Sequence, residues 1–143
     1  MQVVFQPDFV PKLGARIKIG NIVNETGETV INVSELFREK LKKALADEDL
    51  LWIKGAFWQK LIIDIKITRY RKESFLIIWG CGKLELLVHC NLIDSGTKRK
   101  VGFIDVHTTR AVIAAGVLTL GEWKSILKPI AKDVVKALRK KIS

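Results

Sequence analysis

"KLELLVHCNLIDSGTKRKVGFIDVHTT", residues 83–109, decides the fold of this chain. Its first part alternates apolar and polar side chains, which predicts a strand with one buried face. DSGT at 94–97 predicts a hairpin turn, and KRKVGFIDVHTT predicts the return strand. The earlier segment KLIIDIKITRYRK alternates in the same way. Three such strands in succession predict an antiparallel meander over residues 60–70, 84–94 and 98–108.

The alternation also predicts which side chains of each strand are buried. On the first two meander strands the buried faces are predicted to be Leu61, Ile63, Ile65 and Ile67, and Leu84, Leu86, Val88, Cys90 and Leu92. Near the start of the chain, ARIKIGNIVN predicts a further strand with Ile17, Ile19 and Val23 on one face.

Two segments change to the helical period of 3.6 residues. NVSELFREKLKKALADEDL predicts a helix near 33–46, because Asn32 and Glu35 have the spacing of a capping box. TLGEWKSILKPIAKDVVKALRKKIS predicts a helix near 122–140, with Thr119 and Glu122 at the same spacing. Pro129 lies inside this second pattern, so we expect it to kink or divide the helix.

The predicted order is strand, helix, three strands, helix. Because both helices are one-sided, we expect an α+β fold, a two-layer sandwich with a mostly antiparallel sheet and two helices packed on one face. The length of 143 residues predicts one domain over 1–143. Residues 1–14 contain Pro7, Pro11 and Gly14 and are predicted to be an irregular N-terminal arm.

The chain is strongly basic, with a formal net charge of +10. Such a charge favours acidic partners, namely nucleic acid, anionic lipid head groups or acidic proteins, unless it only solvates the surface. No apolar run approaches the roughly 20 residues of a membrane helix. The N-terminal residues MQVVFQPDFV do not have the pattern of a signal peptide, so any leader of an exported form is expected to be absent from this sequence.

No catalytic constellation, metal site or cofactor site emerges, and we predict that the protein is not an enzyme. His89 and His107 are predicted to pair near Gly102 and Leu84, too far apart to share a metal ion. Cys90 is predicted to be a core residue and Cys81 to be more accessible. Two cysteines are compatible with one disulfide bridge or none.

SFLIIWGCGK, residues 74–83, lacks the first glycine and the hydroxyl residue of a phosphate-binding loop. Its apolar run either continues a strand into the core or stays exposed and contacts a protein or lipid partner. The candidate contact loop is Phe75, Leu76, Ile77, Ile78 and Trp79, and the basic residues flanking it are Arg69, Arg71, Lys72 and Lys83. Such a basic flank suits an anionic membrane surface or an acidic partner.

The second half of the chain resembles a family of small bacterial envelope lipoproteins of unknown function. The resemblance rests on a glycine pattern, a strand, a turn and a last amphipathic helix, at Gly80, Gly82, Asp94 and Gly96. More distantly, the chain is similar to the N-terminal domain of TolB and to the curli secretion protein CsgG. The resemblance implies an exported, non-enzymatic domain.

We therefore predict a non-enzymatic envelope protein that acts as an interaction or assembly module, through self-association or a protein partner. The expected location is the periplasm or the outer membrane. The alternative is a cytosolic basic module that binds RNA or DNA, because RYRKESF and TKRK place basic residues near aromatic ones.

Overall fold

The computed structural model describes residues 1–55, 59–72, 81–113 and 118–142, and at 70–72, 81–83 and 111–113 it describes the backbone. The elements are β1 Gln2–Phe5, β2 Arg16–Glu25, α1 Val33–Asp47, β3 Lys60–Lys72, β4 Cys81–Asp94, β5 Lys100–Ile113 and α2 Leu120–Lys141. The five strands form one sheet in the order β1-β5-β4-β3-β2.

The sheet is mostly antiparallel, and the predicted meander of β3, β4 and β5 is confirmed. The exception is the parallel pair of β2 and β3, which α1 connects. A parallel pair needs a crossover of this kind, because its strands start at the same end of the sheet. The predicted α+β class is confirmed.

One face of the sheet packs against the two helices and forms the core. The alternation predicted the buried faces of β3 and β4 correctly, since all nine of their core side chains are at most 2% exposed. The helices complete the core with apolar stripes, from α1 Val33, Leu36, Phe37, Leu41 and Leu45, and from α2 Trp123, Ile126, Leu127, Ile130, Ala131, Val134, Val135, Ala137 and Leu138. Burial of one such large side chain contributes about 1.5–3 kcal/mol.

The predicted helix starts are confirmed. The Asn32 side chain accepts a hydrogen bond from the Glu35 backbone N–H at 3.1 Å, and Thr119 and Glu122 form a complete capping box. The expectation that Pro129 divides the second helix is wrong, because α2 is continuous from Leu120 to Lys141. Pro129 is exposed, and buried residues on both sides of it hold the helix against the sheet.

Residues 1–14 were expected to be an irregular arm, and this expectation is wrong for part of the segment. Gln2–Phe5 form β1, which pairs antiparallel with β5. The pairing is supported by long-range contacts, since Arg99 donates to both carboxylate oxygens of Asp8 at 2.7 and 2.8 Å. The ammonium of Lys141 also lies over the rings of Phe5 and Phe9.

A second correction concerns the face of β2. Val23 was predicted to share a face with Ile17 and Ile19, but its side chain is 48% exposed, and Ile22 packs against the core instead. The cause is a register shift between Ile19 and Ile22. An extra residue in one strand moves the following side chains to the opposite face.

The bulge is held by two long-range polar contacts. The backbone N–H of Asn21 donates to the Asp64 carboxylate at 2.9 Å, and the Arg38 guanidinium donates to the Gly20 carbonyl at 2.8 Å. A Cβ atom on Gly20 would lie 2.2 Å from Asp64 Oδ1 and 2.8 Å from Ile62 Cγ2. A side chain at this position would therefore displace the Asp64 carboxylate, so the close approach favours glycine.

We expect Gly20→Ala to lower the free energy of unfolding by about 1–2 kcal/mol, since the Asp64 carboxylate must turn away and lose its hydrogen bond to Asn21. Urea unfolding followed by circular dichroism measures the change. Gly121→Ala is the matched control, because its Cβ would meet only Thr119 Oγ1, at 3.9 Å. Equal stabilities of the two variants would contradict the proposed role of Gly20.

Candidate functional sites

The end of the sheet that holds the last residues of β3 and β5 and the first of β4 is called the loop end here. Lys72 pairs with Lys83, and Cys81 pairs with Ile113, so three strands meet at this end. The predicted contact residues Phe75, Leu76, Ile77, Ile78 and Trp79 lie outside the described residues, as does Gly80. Their role as a contact stays a prediction.

The four flanking basic residues fall on the two strands that lead to the loop end. Arg69 is half-buried in β3, opposite Leu86, and Arg71 follows two positions later. Lys72 and Lys83 are direct cross-strand partners. The backbone register therefore brings two basic residues to the same rung at this end of the sheet.

Asp94 and Gly96 have a structural role in the turn between β4 and β5. Asp94 Oδ1 accepts from the Gly96 N–H at 2.8 Å, and its other oxygen accepts from the Gln59 amide at 2.8 Å. Burial alone would raise the pKa of Asp94, but these hydrogen bonds, one from Thr97 and the nearby Lys12 charge outweigh it and lower the pKa. Gly82, the other described glycine of the resemblance, lies in β4 opposite Val112.

The predicted pairing of the histidines is wrong by three residues. His89 pairs with Asp105, not Gly102, and His107 pairs with Leu87, not Leu84. The hairpin loop is longer than a tight turn, since the Asp94 N–H donates to the Arg99 carbonyl, and a register shift between Leu92 and Ile93 adds one residue to the offset. Lys98 has a φ of 63°. Glycine is the usual residue in this left-handed conformation, so a lysine there gave no sign of the longer loop.

The corrected register forms a polar cluster on the sheet face that no helix covers. His89 Nδ1 contacts Asp105 Oδ1, and His89 Nε2 lies 3.0 Å from Asn91 Oδ1. The ring of Phe103 packs at 5.6 Å from the His89 ring. A His–Asp pair catalyses acyl transfer only beside a nucleophile. The only cysteine whose side chain is described, Cys90, lies in the core, where burial and the Asp105 charge raise its pKa.

In the described ranges, the structure has neither a group of metal ligands nor a helix suited to span a membrane. Among these residues, no group of three or more His, Cys, Asp and Glu side chains is placed to hold a metal ion. No helix in the same part of the chain is both long and apolar enough to cross a membrane.

The exposed side of α2 is strongly basic. Its lysine row, as we name it, consists of Lys124, Lys128, Lys132, Lys136 and Lys140, one at every fourth residue. Beside the row, a groove of about 590 Å³ runs between α1 and α2. Its lining residues are Lys40, Ala44, Asp47, Glu48, Lys128, Lys132, Val135, Lys136, Arg139 and Lys140.

The sequence analysis missed the lysine row, although the repeat of Lys at every fourth residue is visible from 124 to 140. Side chains four residues apart are neighbours on the surface of a helix, so the repeat was a sufficient signal for the row. The groove beside it had no such signal, because it depends on how α1 packs against α2.

The described residues therefore define an α+β sandwich with a basic helical layer. No family model matches the chain, and no curated protein matches it. Similarity is found among solved structures, where it concerns the whole fold.

The PelC dodecamer from Paraburkholderia phytofirmans matches with a TM-score of 0.60 and 12% identity, over 99% of this chain and 96% of that one. A minor lipoprotein from Acinetobacter baumannii matches with a TM-score of 0.53 and 7% identity, over 90% and 94% of the two chains. Protein XCC0632 from Xanthomonas campestris has a TM-score of 0.54 and 11% identity, over 94% and 91%.

At these identities the matches show a shared fold. One of the solved proteins that have this fold is a bacterial minor lipoprotein. Similarity to TolB and CsgG is not shown by these structures and stays a prediction.

Proposed function

We propose that this protein is a non-enzymatic component of the bacterial envelope that assembles by self-association. The shared fold supports the envelope, since one matched structure is a lipoprotein. The PelC structure is a dodecamer that matches this chain over nearly its full length, which supports self-association. The proposed location is the periplasm or the outer membrane.

One observation carries the proposal: the register of β4 and β5 pairs the two strand ends that adjoin apolar segments of the sequence. β4 begins directly after FLIIWG, residues 75–80, and β5 ends within AVIAAGVL, residues 111–118. Because Cys81 pairs with Ile113, both segments are anchored at the loop end. An apolar surface at one end of a sheet is a site where a second copy can bury area.

The contact that we propose consists of the loop residues Phe75–Trp79 and the basic strand ends at Lys72 and Lys83. The apolar residues supply the buried area, and the basic residues keep the free monomer soluble. The competing interpretation is that the same run fills the core of its own chain. The two interpretations differ in what a truncation at Trp79 does to stability.

We expect Trp79→Ala to weaken self-association and to leave the melting temperature nearly unchanged. Sedimentation velocity over a range of protein concentrations measures association, and thermal unfolding by circular dichroism measures stability. Leu13→Ala is the matched control, because Leu13 is 90% exposed and precedes β2, near the opposite end of the sheet. This control should associate as the wild type does.

The opposite pattern would refute the proposed contact. A buried Trp79 contributes roughly 2–3 kcal/mol to folding, so its truncation would then lower the melting temperature sharply. A large loss of stability with association intact assigns Trp79 to the core. A wild-type chain that stays monomeric at all concentrations contradicts self-association itself.

A further inference from the structure

The lysine row of α2 is a charge arrangement that the fold does not need. Its five lysines are successive i,i+4 neighbours, and like charges at this spacing destabilise a helix. In the part of the chain that the structure describes, none of the five forms an ion pair with an acidic side chain. A bound anion would therefore reduce the repulsion between the lysine ammonium groups.

The charge of α2 is also disproportionate to its length. The helix carries seven basic and two acidic residues, so it contributes half of the chain's formal net charge of +10. Adjacent members of the row are separated by about 6 Å along the helix axis, and its ends by about 24 Å. Each step of four residues also turns the row by about 40° around the axis, so the central lysines Lys128, Lys132 and Lys136 lie within about 80° of one another and can face one extended anionic surface.

The groove beside the row adds a second chemical feature. Its floor includes Ala44 and the buried Val135, and its rim is formed mainly by basic side chains, among them Lys40 and Arg139. An apolar floor with a cationic rim suits a ligand that has an anionic head and an apolar part. The aliphatic stems of the lysines extend the apolar surface while their ammonium groups stay in water.

We propose that the lysine row and the adjoining groove bind the anionic phospholipid head groups of a membrane surface. The apolar stripe of α2 is buried against the sheet, so the helix binds at the surface and does not insert. Among the described residues that line the groove, none is aromatic. Proteins that bind single-stranded nucleic acid combine basic grooves with aromatic residues on which bases stack. The lining therefore favours lipid over nucleic acid.

This inference goes beyond the proposed self-association and does not rest on it. The loop end is formed by β3, β4 and β5, whereas the groove lies between α1 and α2. Vesicle binding and sedimentation velocity therefore test two separate surfaces, and either result can fail without the other.

The test is flotation of the full chain with vesicles of phosphatidylglycerol in phosphatidylcholine, compared with vesicles of pure phosphatidylcholine. We expect binding to the anionic vesicles only, and we expect it to weaken as salt is raised. In the triple variant Lys128→Gln, Lys132→Gln and Lys136→Gln, affinity should fall about 100-fold, because each basic residue at an anionic surface contributes roughly a factor of five. Its melting temperature should be unchanged or higher, since glutamine is a good helix former and repulsion is removed.

The matched control removes the same charge from other exposed positions, with Lys42→Gln, Lys43→Gln and Lys54→Gln. It should bind the anionic vesicles nearly as the wild type does. Equal losses in the two triple variants would overturn the proposed site in favour of net charge alone. Failure of the wild type to bind anionic vesicles at low salt would also overturn it. The proposal would also be overturned if a single-stranded oligonucleotide bound more tightly than the vesicles and if the lysine-row variant lost that binding.

Discussion

Truncation of Trp123 to alanine is expected to lower the free energy of unfolding by about 3–5 kcal/mol. The Trp123 side chain is 0% exposed, and it is the largest of the fully buried side chains described. Its indole Nε1 donates to Glu28 Oε1 at 3.3 Å, which ties the first turn of α2 to the loop before α1. The truncation removes both the packing and this hydrogen bond.

A loss of this size is a large part of the 5–15 kcal/mol that stabilises a typical domain. Urea unfolding followed by circular dichroism measures it. Trp52→Ala is the control, because Trp52 is half-buried and lies beneath the ammonium groups of Lys18 and Lys60 at 5.4 and 4.8 Å. Loss of these cation–π contacts should cost only about 1 kcal/mol. A smaller loss at Trp123 than at Trp52 would refute the central role of Trp123.

The second large effect is expected at Gly102, where β1 approaches β5. A Cβ atom at this position would lie 2.6 Å from Phe5 Cδ1 and 2.7 Å from the Val4 carbonyl oxygen. The Phe5 ring can turn, but the Val4 carbonyl belongs to the backbone of β1. Gly102→Ala should therefore displace β1 and lower the free energy of unfolding by up to about 3 kcal/mol.

Amide hydrogen exchange distinguishes this local effect from general destabilisation. In Gly102→Ala, the amide protons of Gln2–Phe5 should lose protection, while those of β3 and β4 keep more of it. Gly121→Ala should leave the exchange of β1 unchanged, since its Cβ meets only Thr119 Oγ1. Retention of β1 protection in Gly102→Ala would show that the strand tolerates the added methyl group.

The candidate sites combine features that are local in sequence with features that depend on the tertiary structure. The apolar run at 75–79 and its basic flank could be found from the sequence, because both are contiguous patterns. The pairing of Lys72 with Lys83 and of Cys81 with Ile113 needed the strand register. The lysine row was open to prediction from its spacing, but the groove beside it needed Ala44 of α1 next to Val135 of α2.

The sequence by itself determined the two helices, the three meander strands and the buried faces of β3 and β4. These features depend on residues that are close together in sequence. The alternation of β3 and β4 and the apolar stripes of the helices are periodic patterns, and the caps at Asn32 and Thr119 are recognised by their spacing. The antiparallel order of β3, β4 and β5 followed because consecutive strands joined by short segments pair with each other.

Only the tertiary structure decided the pairing of β1 with β5, the parallel pairing of β2 with β3, and the face of β2 beyond its bulge. Each depends on contacts between residues far apart in sequence, such as Phe5 with Gly102 and Asn21 with Asp64. Local propensity is weak beside such contacts, since a strand takes its partner and its register from the side chains and backbone groups it meets.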